Sequence, residues 1–261
     1  MGEAAGEART SLDAILGGRL RLRQPIGGHR VGADAVLLAA AAGAPARRIV
    51  DVGAGVGAVG LALVQRWREA HGDLVEIDPE LAALARENAA LNGLAARARV
   101  VAVDALEAPR RREAGLADGE ADLVVTNPPF FDALKVRASP DSGRARAHVA
   151  PARRGAASPL EAWIVASLAL LAPGGRFVMI HRPDALAAIL AAIGRRLGGL
   201  ALLPVHPRAE QNAHRLLVAG VKGSKAPLRI APPLVLHEAS GAFTALAEAI
   251  HRGEAAIDWP K

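Results

Sequence analysis

The sequence predicts an α/β fold: a doubly wound, mainly parallel sheet with an antiparallel edge strand and a short N-terminal extension. Three observations predict it. Short apolar runs alternate with amphipathic stretches from Arg48 to Val205, the pattern of strands joined by crossover helices. Glycine-bearing turns punctuate that alternation. The last two runs, Leu200–Val205 and Arg215–Val221, have no helical stretch between them, so an antiparallel pairing is expected there.

Taken in order, Arg19-Leu-Arg-Leu-Arg23 alternates basic and apolar residues as a strand does. Turn residues Gln24–Gly28 follow it, and His29–Val31 is expected to return as its hairpin partner. Asp34 opens a helix through Ala42. Arg48–Val52 is a short buried strand, followed by a glycine turn and a helix to about Ala70. Leu74–Ile77 is the next strand. Asp78-Pro79-Glu80 then supplies a cap, a proline for the first turn and an acid, a strong helix start. That helix closes at Asn92-Gly93. Val100–Val103 and Leu123–Thr126 are further strands, separated by a charged loop through Arg110–Arg112. Pro159–Leu171 is helical and stops at Pro173-Gly-Gly175. Phe177–Ile180 is a strand and Ala185–Leu197 a helix. Beyond the core, Pro233–Leu236 adds a strand and Phe243–His251 a helix.

With no cysteine there is neither a disulfide framework nor a thiolate metal site, and the histidines lack metal-ligand spacing; no metal is expected. The longest apolar stretches, Ala35–Ala42 and Ala162–Ala172, fall far short of the roughly 30 Å of a bilayer. The N-terminus carries two glutamates and no apolar signal core, so a cytoplasmic protein without a membrane partner is expected. The net charge of +6 favours a polyanionic partner.

Asp51-Val-Gly-Ala-Gly-Val-Gly57 follows a strand and opens a helix. Glycines there permit positive φ and close approach of a ligand, and the helix N-terminus offers unpaired N–H groups. About 20 residues on, Glu76 ends the next strand, where an acid accepts ribose hydroxyls. Gly55–Gly60 is also a literal dinucleotide-binding pattern, so the loop suits either NAD or S-adenosylmethionine. Asp51, two residues ahead of the first glycine, and some fifty residues of preceding chain favour S-adenosylmethionine. Asp104 ends the third strand on the same carboxyl edge, placed to accept from an adenine amine.

Thr126-Asn-Pro-Pro-Phe130 is the most informative stretch. A buried strand runs into two prolines, which fix φ and donate no hydrogen bond. Asn127 supplies an amide oxygen, Pro128 a main-chain carbonyl, Pro129 rigidity and Phe130 a flat apolar face. An aniline-like amine is a poor nucleophile because its lone pair is delocalised into the ring. Two acceptors bonding its hydrogens favour pyramidal geometry and free that lone pair, while the aromatic face holds the ring. Rate then comes from orientation and preorganised electrostatics.

Together these segments resemble the class I S-adenosylmethionine-dependent methyltransferases, and the Asn-Pro-Pro-Phe tetrad resembles their amino-methylating branch. Leu16–Pro25, His29–Ala39, Glu87-Asn-Ala-Ala-Leu-Asn-Gly93, Pro173-Gly-Gly-Arg176, Val221-Lys-Gly-Ser224 and Leu236-His237 resemble the bacterial tRNA(Val) adenine-N6 methyltransferase family, over roughly Leu16 to Gly253. The resemblance implies a Rossmann-like methyltransferase sheet, with Asp51, Gly53, Gly55, Glu76, Asp104 and Asn127 lining the cofactor. It places Gln24, Arg30 and Asp34 in an N-terminal segment folding over that cofactor, and Asn127, Pro128, Pro129 and Phe130 on the target base. The implied product is an N6-methylated adenine near the anticodon of a tRNA. His29 departs from the pattern, since an aromatic such as tyrosine is expected there. Sequences with the tetrad also methylate protein glutamine at N5, so that reading stays open beside the less favoured NAD-dependent oxidoreductase.

Residues 131–157 follow the tetrad as a basic loop whose Lys135, Arg137, Arg144, Arg146, Arg153 and Arg154 suit RNA phosphate contacts. Arg19, Arg21, Arg23, Arg110–Arg112, Lys222 and Lys225 are expected to extend that surface. The expected organisation is a flexible N-terminus, 1–15, then a single methyltransferase domain, 16–261. Within it, 16–46 is the cofactor-covering segment, 47–226 the core and 227–261 a strand and helix appendage.

Overall fold

A computed structural model of the chain describes residues 10–27, 30–129 and 158–259. The described residues open with a hairpin of β1 (Thr10–Ile15) and β2 (Leu20–Pro25), followed by α1 (Ala33–Ala40). The core then runs β3 (Arg48–Val52), α2 (Ala58–Arg66), β4 (His71–Val75), α3 (Pro79–Leu91), β5 (Ala98–Val101), α4 (Ala108–Glu113) and β6 (Ala121–Thr126). After residue 157 come α5 (Pro159–Leu170), β7 (Leu171–His181), α6 (Leu186–Ile193), β8 (Leu197–His206) and β9 (Arg215–Lys222). Short strands β10 (Arg229–Ile230) and β11 (Leu234–Val235) and helix α7 (Ala245–His251) end the chain.

The main sheet is ordered β10-β8-β9-β7-β6-β3-β4-β5, with β11 also on β8. Strands β7, β6, β3, β4 and β5 are parallel, whereas β9 runs antiparallel to both β7 and β8. The antiparallel element expected from the missing helix, β9, is therefore two places in from the edge strand β10. Strand order reverses at β3, which has β4 on one side and β6 on the other. Ligands of open α/β sheets bind in the crevice that such a reversal leaves at the carboxyl ends. Two apolar layers make the fold doubly wound. One buries Leu37, Leu61, Leu63 and Ile250 against one sheet face, the other Ile164, Leu168, Ile189 and Ile193 against the opposite face.

Local chemistry explains the best-anticipated elements. Asp78 caps α3 by accepting from the N–H groups of Glu80 and Leu81 at 2.8 and 3.3 Å, with Pro79 in the first turn. Ser158 caps α5 through the Glu161 N–H at 3.1 Å.

Four expectations are corrected. The partner of β2 is not His29–Val31 but β1, with Asp13 opposite Leu22, so strand structure begins inside the stretch expected to be flexible. Gly17 and Gly18, at φ 64 and 87, make that turn possible. Meanwhile the Gln24 side chain takes the Val31 N–H at 2.7 Å, so the chain there is held by an amide rather than a ladder. The charged loop at Arg110–Arg112 is helix α4, because Arg111 turns inward to bond the Ala105 carbonyl and Asp118. Pro173-Gly-Gly175 does not separate α5 from a later strand but forms an irregularity within β7, where the register with β6 shifts between Ala121 and Leu123. Finally, α6 is shorter than expected: a 3-10 turn at Pro183–Ala185 precedes it and Gly194, at φ 53, ends it.

Candidate active site at the carboxyl edge of the sheet

Pairing of Val52 with both Val75 and Thr126 brings three strand ends level. Gly53, Glu76 and Asn127 each follow one of those ends. The glycine loop is built from backbone bonds: the N–H groups of Gly53 and Ala54 both reach the Val75 carbonyl at 2.9 Å, and Gly57, at φ 89, begins α2. Beneath the loop, buried Asp51 accepts the Gly60 N–H at 2.8 Å. Burial pushes the Asp51 carboxyl up to about 7; the Gly60 N–H opposes that rise and the Glu76 charge adds to it.

Glu76 is also buried, and its two oxygens are oriented by the protein: Oε2 accepts from Gly55 N–H at 2.8 Å and Oε1 from Asp78 N–H at 2.9 Å. Each carboxylate oxygen has a second lone pair, so the clamped acid can still receive two hydroxyls. Gly55 has φ 56, and a Cβ there would meet nothing within 4 Å. Open space thus lies above a loop that presents backbone to it. A glycine loop, a fixed acid on the neighbouring strand and room for a ligand fit the adenosyl part of S-adenosylmethionine. Asp104, half-buried, stands beyond β5 and accepts the Leu106 N–H at 2.8 Å.

Asn127 is half-buried, Pro128 buried and Pro129 exposed. The preceding Thr126 hydroxyl donates to the Val52 carbonyl at 2.8 Å and accepts from the Trp163 indole N–H at 2.8 Å. Helix α5 thereby braces the ends of β3 and β6 together. Phe130 lies outside the described residues, as do His29, Lys135, Arg137, Arg144, Arg146, Arg153 and Arg154.

The N-terminal residues gather elsewhere. Gln24 Nε2 and Arg30 Nη2 both donate to Asp13 Oδ2, at 3.0 and 2.7 Å, and Ser11 completes the cluster. The Ser11 hydroxyl, together with Arg30 and Gln24, holds the Asp13 carboxyl below its ordinary value against the opposing effect of burial. Asp34 is engaged by Arg215, whose Nε reaches both carboxylate oxygens at 3.0 and 2.8 Å. Asp51, Gly55 and Glu76 thus share one hydrogen-bonded neighbourhood with Gly53, Asn127 stands on the adjoining strand, and Asp34 is tied to β9. Two expected surface cations are used internally: Arg111 as above, and Lys222, whose Nζ donates to the Leu168 and Leu171 carbonyls.

Sequence reasoning missed Asp13 and Trp163. The alternation in Thr10–Ile15 could have flagged Asp13 as part of a strand. Nothing in the spacing around Trp163 distinguishes it from an ordinary core position. A cavity of about 250 Å³ lined by Arg48, Arg97 and Arg99 lies at the opposite, amino edge of the strands. Its arginines are already engaged, Arg48 with Glu120, Arg99 with Asp73 and Arg97 with the Val64 and Trp67 carbonyls, so the chemistry belongs to the carboxyl edge. Among the described residues no group of histidine or acidic side chains could hold a metal ion, and no helix is long and apolar enough to cross a membrane.

Comparison with known proteins agrees with this geometry. Residues 31–167 match the family model described as methyltransferase small domain. A Porphyromonas gingivalis protein named tRNA1(Val) (adenine(37)-N6)-methyltransferase is 32% identical over 226 residues, 82% of this chain and 84% of the relative. An Aeromonas salmonicida protein of the same name is 32% identical over 222 residues, 82% and 85% of the two chains. Among solved structures, an Agrobacterium tumefaciens protein described as a predicted O-methyltransferase superposes with a TM-score of 0.71 at 35% identity, covering 86% of this chain and 98% of that one. TYW2 of M. jannaschii, solved in complex with AdoMet, shares the fold at a TM-score of 0.56 and 12% identity, over 84% and 89% of the chains. These matches displace the nicotinamide reading of the glycine loop: the chain belongs to the methyltransferase small domain family and is an S-adenosylmethionine-dependent methyltransferase.

Proposed function

We propose that this enzyme methylates the exocyclic N6 amine of an adenine in RNA, a tRNA near its anticodon, in the cytoplasm. The observation that carries the reading is the Asn127-Pro128-Pro129 segment at the end of β6, level with the glycine loop of β3. Its support comes from relatives named as tRNA1(Val) (adenine(37)-N6)-methyltransferases that match four-fifths of the chain.

In this reading Gly53, Gly55, Glu76 and Asp104 hold the cofactor. Asp51 braces the loop from below, and Gln24, Arg30 and Asp34 belong to the segment that covers it. When bound, S-adenosylmethionine supplies an electrophilic methyl group. Asn127 Oδ1 and the Pro128 carbonyl accept the two amine hydrogens, and Phe130 stacks on the base. The base leaves its own stack to reach them, while Lys135, Arg137, Arg144, Arg146, Arg153 and Arg154 bind flanking phosphates. A protein glutamine amide shares the planar, weakly nucleophilic nitrogen; the positive charge of residues 131–157 favours RNA over it.

The test is label transfer from tritiated S-adenosylmethionine to RNA of a strain lacking the gene, followed by nucleoside analysis. Label in N6-methyladenosine, lost in Asn127→Ala while cofactor binding survives, is the expected result. Ribonuclease-insensitive label in protein would replace this reading by the glutamine one.

A further inference from the structure

We infer that Asn88 and Asn92 of α3 stand in for a third strand of the N-terminal hairpin, and that Asn88 couples docking of that hairpin to the glycine loop. Both are positioning residues for the cofactor. Among the described residues, no strand lies beside the edge of β2 that faces away from β1. Instead, the Arg21 N–H donates to Asn92 Oδ1 at 3.0 Å, and Asn92 Nδ2 donates back to the Arg21 carbonyl at 2.7 Å. One helical turn earlier, the Arg23 N–H donates to Asn88 Oδ1 at 2.7 Å, and Asn88 Nδ2 donates to the Arg23 carbonyl at 3.1 Å.

The match is geometric. Four residues of helix advance about 6 Å, and two residues of strand about 6.6 Å. Amides at i and i+4 of a helix therefore meet alternate peptides of a strand. Asparagine is suited to this because a primary amide offers acceptor and donor side by side, as a peptide does.

Asn88 is fully buried and spends its remaining donor on the Val56 carbonyl, at 2.9 Å, within the glycine loop. The next residue back, Gly55, gives its N–H to Glu76. A continuous path thus runs from Arg23 through Asn88 and Val56 to the clamped acid. On the hairpin side, Gln24 follows directly and fixes both Asp13 and Val31. The segment proposed to cover the cofactor and the loop proposed to hold it meet at one side chain. Two sites that bias the same element are linked reciprocally, so cofactor binding stabilises the docked hairpin, and an undocked hairpin weakens cofactor binding.

This inference rests on the glycine loop as the cofactor site and not on which amine is methylated. The experiment uses Asn92→Ala, because Asn92 touches the hairpin and not the loop, and Arg21→Pro, which deletes the same bond from the hairpin side. Binding of S-adenosylhomocysteine is measured by calorimetry, and amide hydrogen exchange is followed across Leu20–Pro25. In the unaltered enzyme the ligand slows exchange of the Arg21 and Arg23 amides. Each variant speeds exchange of the Arg23 amide and raises Kd about 3- to 10-fold, and Asn92→Ala raises KM for the cofactor with kcat unchanged. The double variant adds little to Asn92→Ala, which already removes both bonds of the pair. If one variant fails to fold, the other carries the test. Faster hairpin exchange with unchanged Kd would overturn the coupling alone. No binding by the unaltered enzyme would overturn the cofactor site and the inference with it.

Discussion

The Trp163 ring stands against Gly53 so closely that a Cβ built on the glycine would meet ring carbons at 2.7 and 2.9 Å. The same indole donates to Thr126, and Thr126 to Val52. One side chain from α5 therefore sets both the loop after β3 and the segment after β6, the two places where cofactor and acceptor must meet.

Gly53→Ala and Gly55→Ala separate two reasons for glycine in this loop. Both positions have positive φ, 72 and 56, which costs other residues about 1–2 kcal/mol. At Gly55 nothing surrounds the added methyl; at Gly53 the methyl must displace Trp163. Gly55→Ala is expected to lose only that backbone energy in urea melts. Gly53→Ala should lose more and weaken S-adenosylmethionine binding more than 10-fold by calorimetry. Equal destabilisation of the two variants would mean that the indole yields freely and does not set the loop.

Thr126→Val removes one hydroxyl and two hydrogen bonds from a fully buried position at almost constant shape. Deleting a bonded polar group in the interior costs about 1–3 kcal/mol. The variant should be destabilised by that amount and lose kcat more than cofactor affinity, since Asn127 is the next residue. Thr126→Ser keeps the hydroxyl and should restore both. Failure of serine to restore kcat would place the effect in packing rather than in the hydrogen bond.

What was legible in the sequence is what short-range physics encodes. The β3 to α3 stretch could be read element by element, with α2 ending at Arg66 rather than near Ala70 and β4 running His71–Val75 rather than Leu74–Ile77, because Asp78-Pro79 caps and starts a helix wherever it occurs and Gly53–Gly57 makes a tight turn by itself. Side chains that fold back on distant backbone could not be read. Arg111 looks like one of three solvated arginines, yet it alone turns inward to a carbonyl and Asp118. The hairpin was assigned the wrong partner because alternation identifies a strand but not what lies beside it. Asn88 and Asn92 were visible as a motif, whereas the strand edge they bind lies 65 and 71 residues away in the chain.

The Asp34–Arg215 pair ties the first turn of α1 to the start of β9, with the two side chains only 20% and 24% exposed. A pair so placed lies between a surface bridge and a buried one. Asp34→Ala and Arg215→Ala should each cost about 1–3 kcal/mol. The double variant should cost less than their sum, because neither charge is then left behind. Additive losses in urea melts would show that the two residues act independently.

Asp51 gives the chain a pH dependence of unusual sign for a carboxylate. Its folded value of about 7 lies above the ordinary 3.8, mainly because burial disfavours the ion. A group raised on folding contributes stability that is complete below pH 4 and lost as pH rises through 7. Asp51→Asn keeps an oxygen to accept the Gly60 N–H and never ionises. Each pKa unit corresponds to about 1.4 kcal/mol and about two units of the shift are expressed between pH 5 and pH 8, so over that range the variant should gain about 3 kcal/mol on the parent. Urea melts of both proteins at pH 5, 6, 7 and 8 read this directly. Parallel stability curves would show that Asp51 is ionised throughout and that the Gly60 N–H offsets its burial. Convergence of the two curves only toward acid would instead place the cost of ionising a buried carboxylate directly beneath the loop proposed to bind a cationic cofactor.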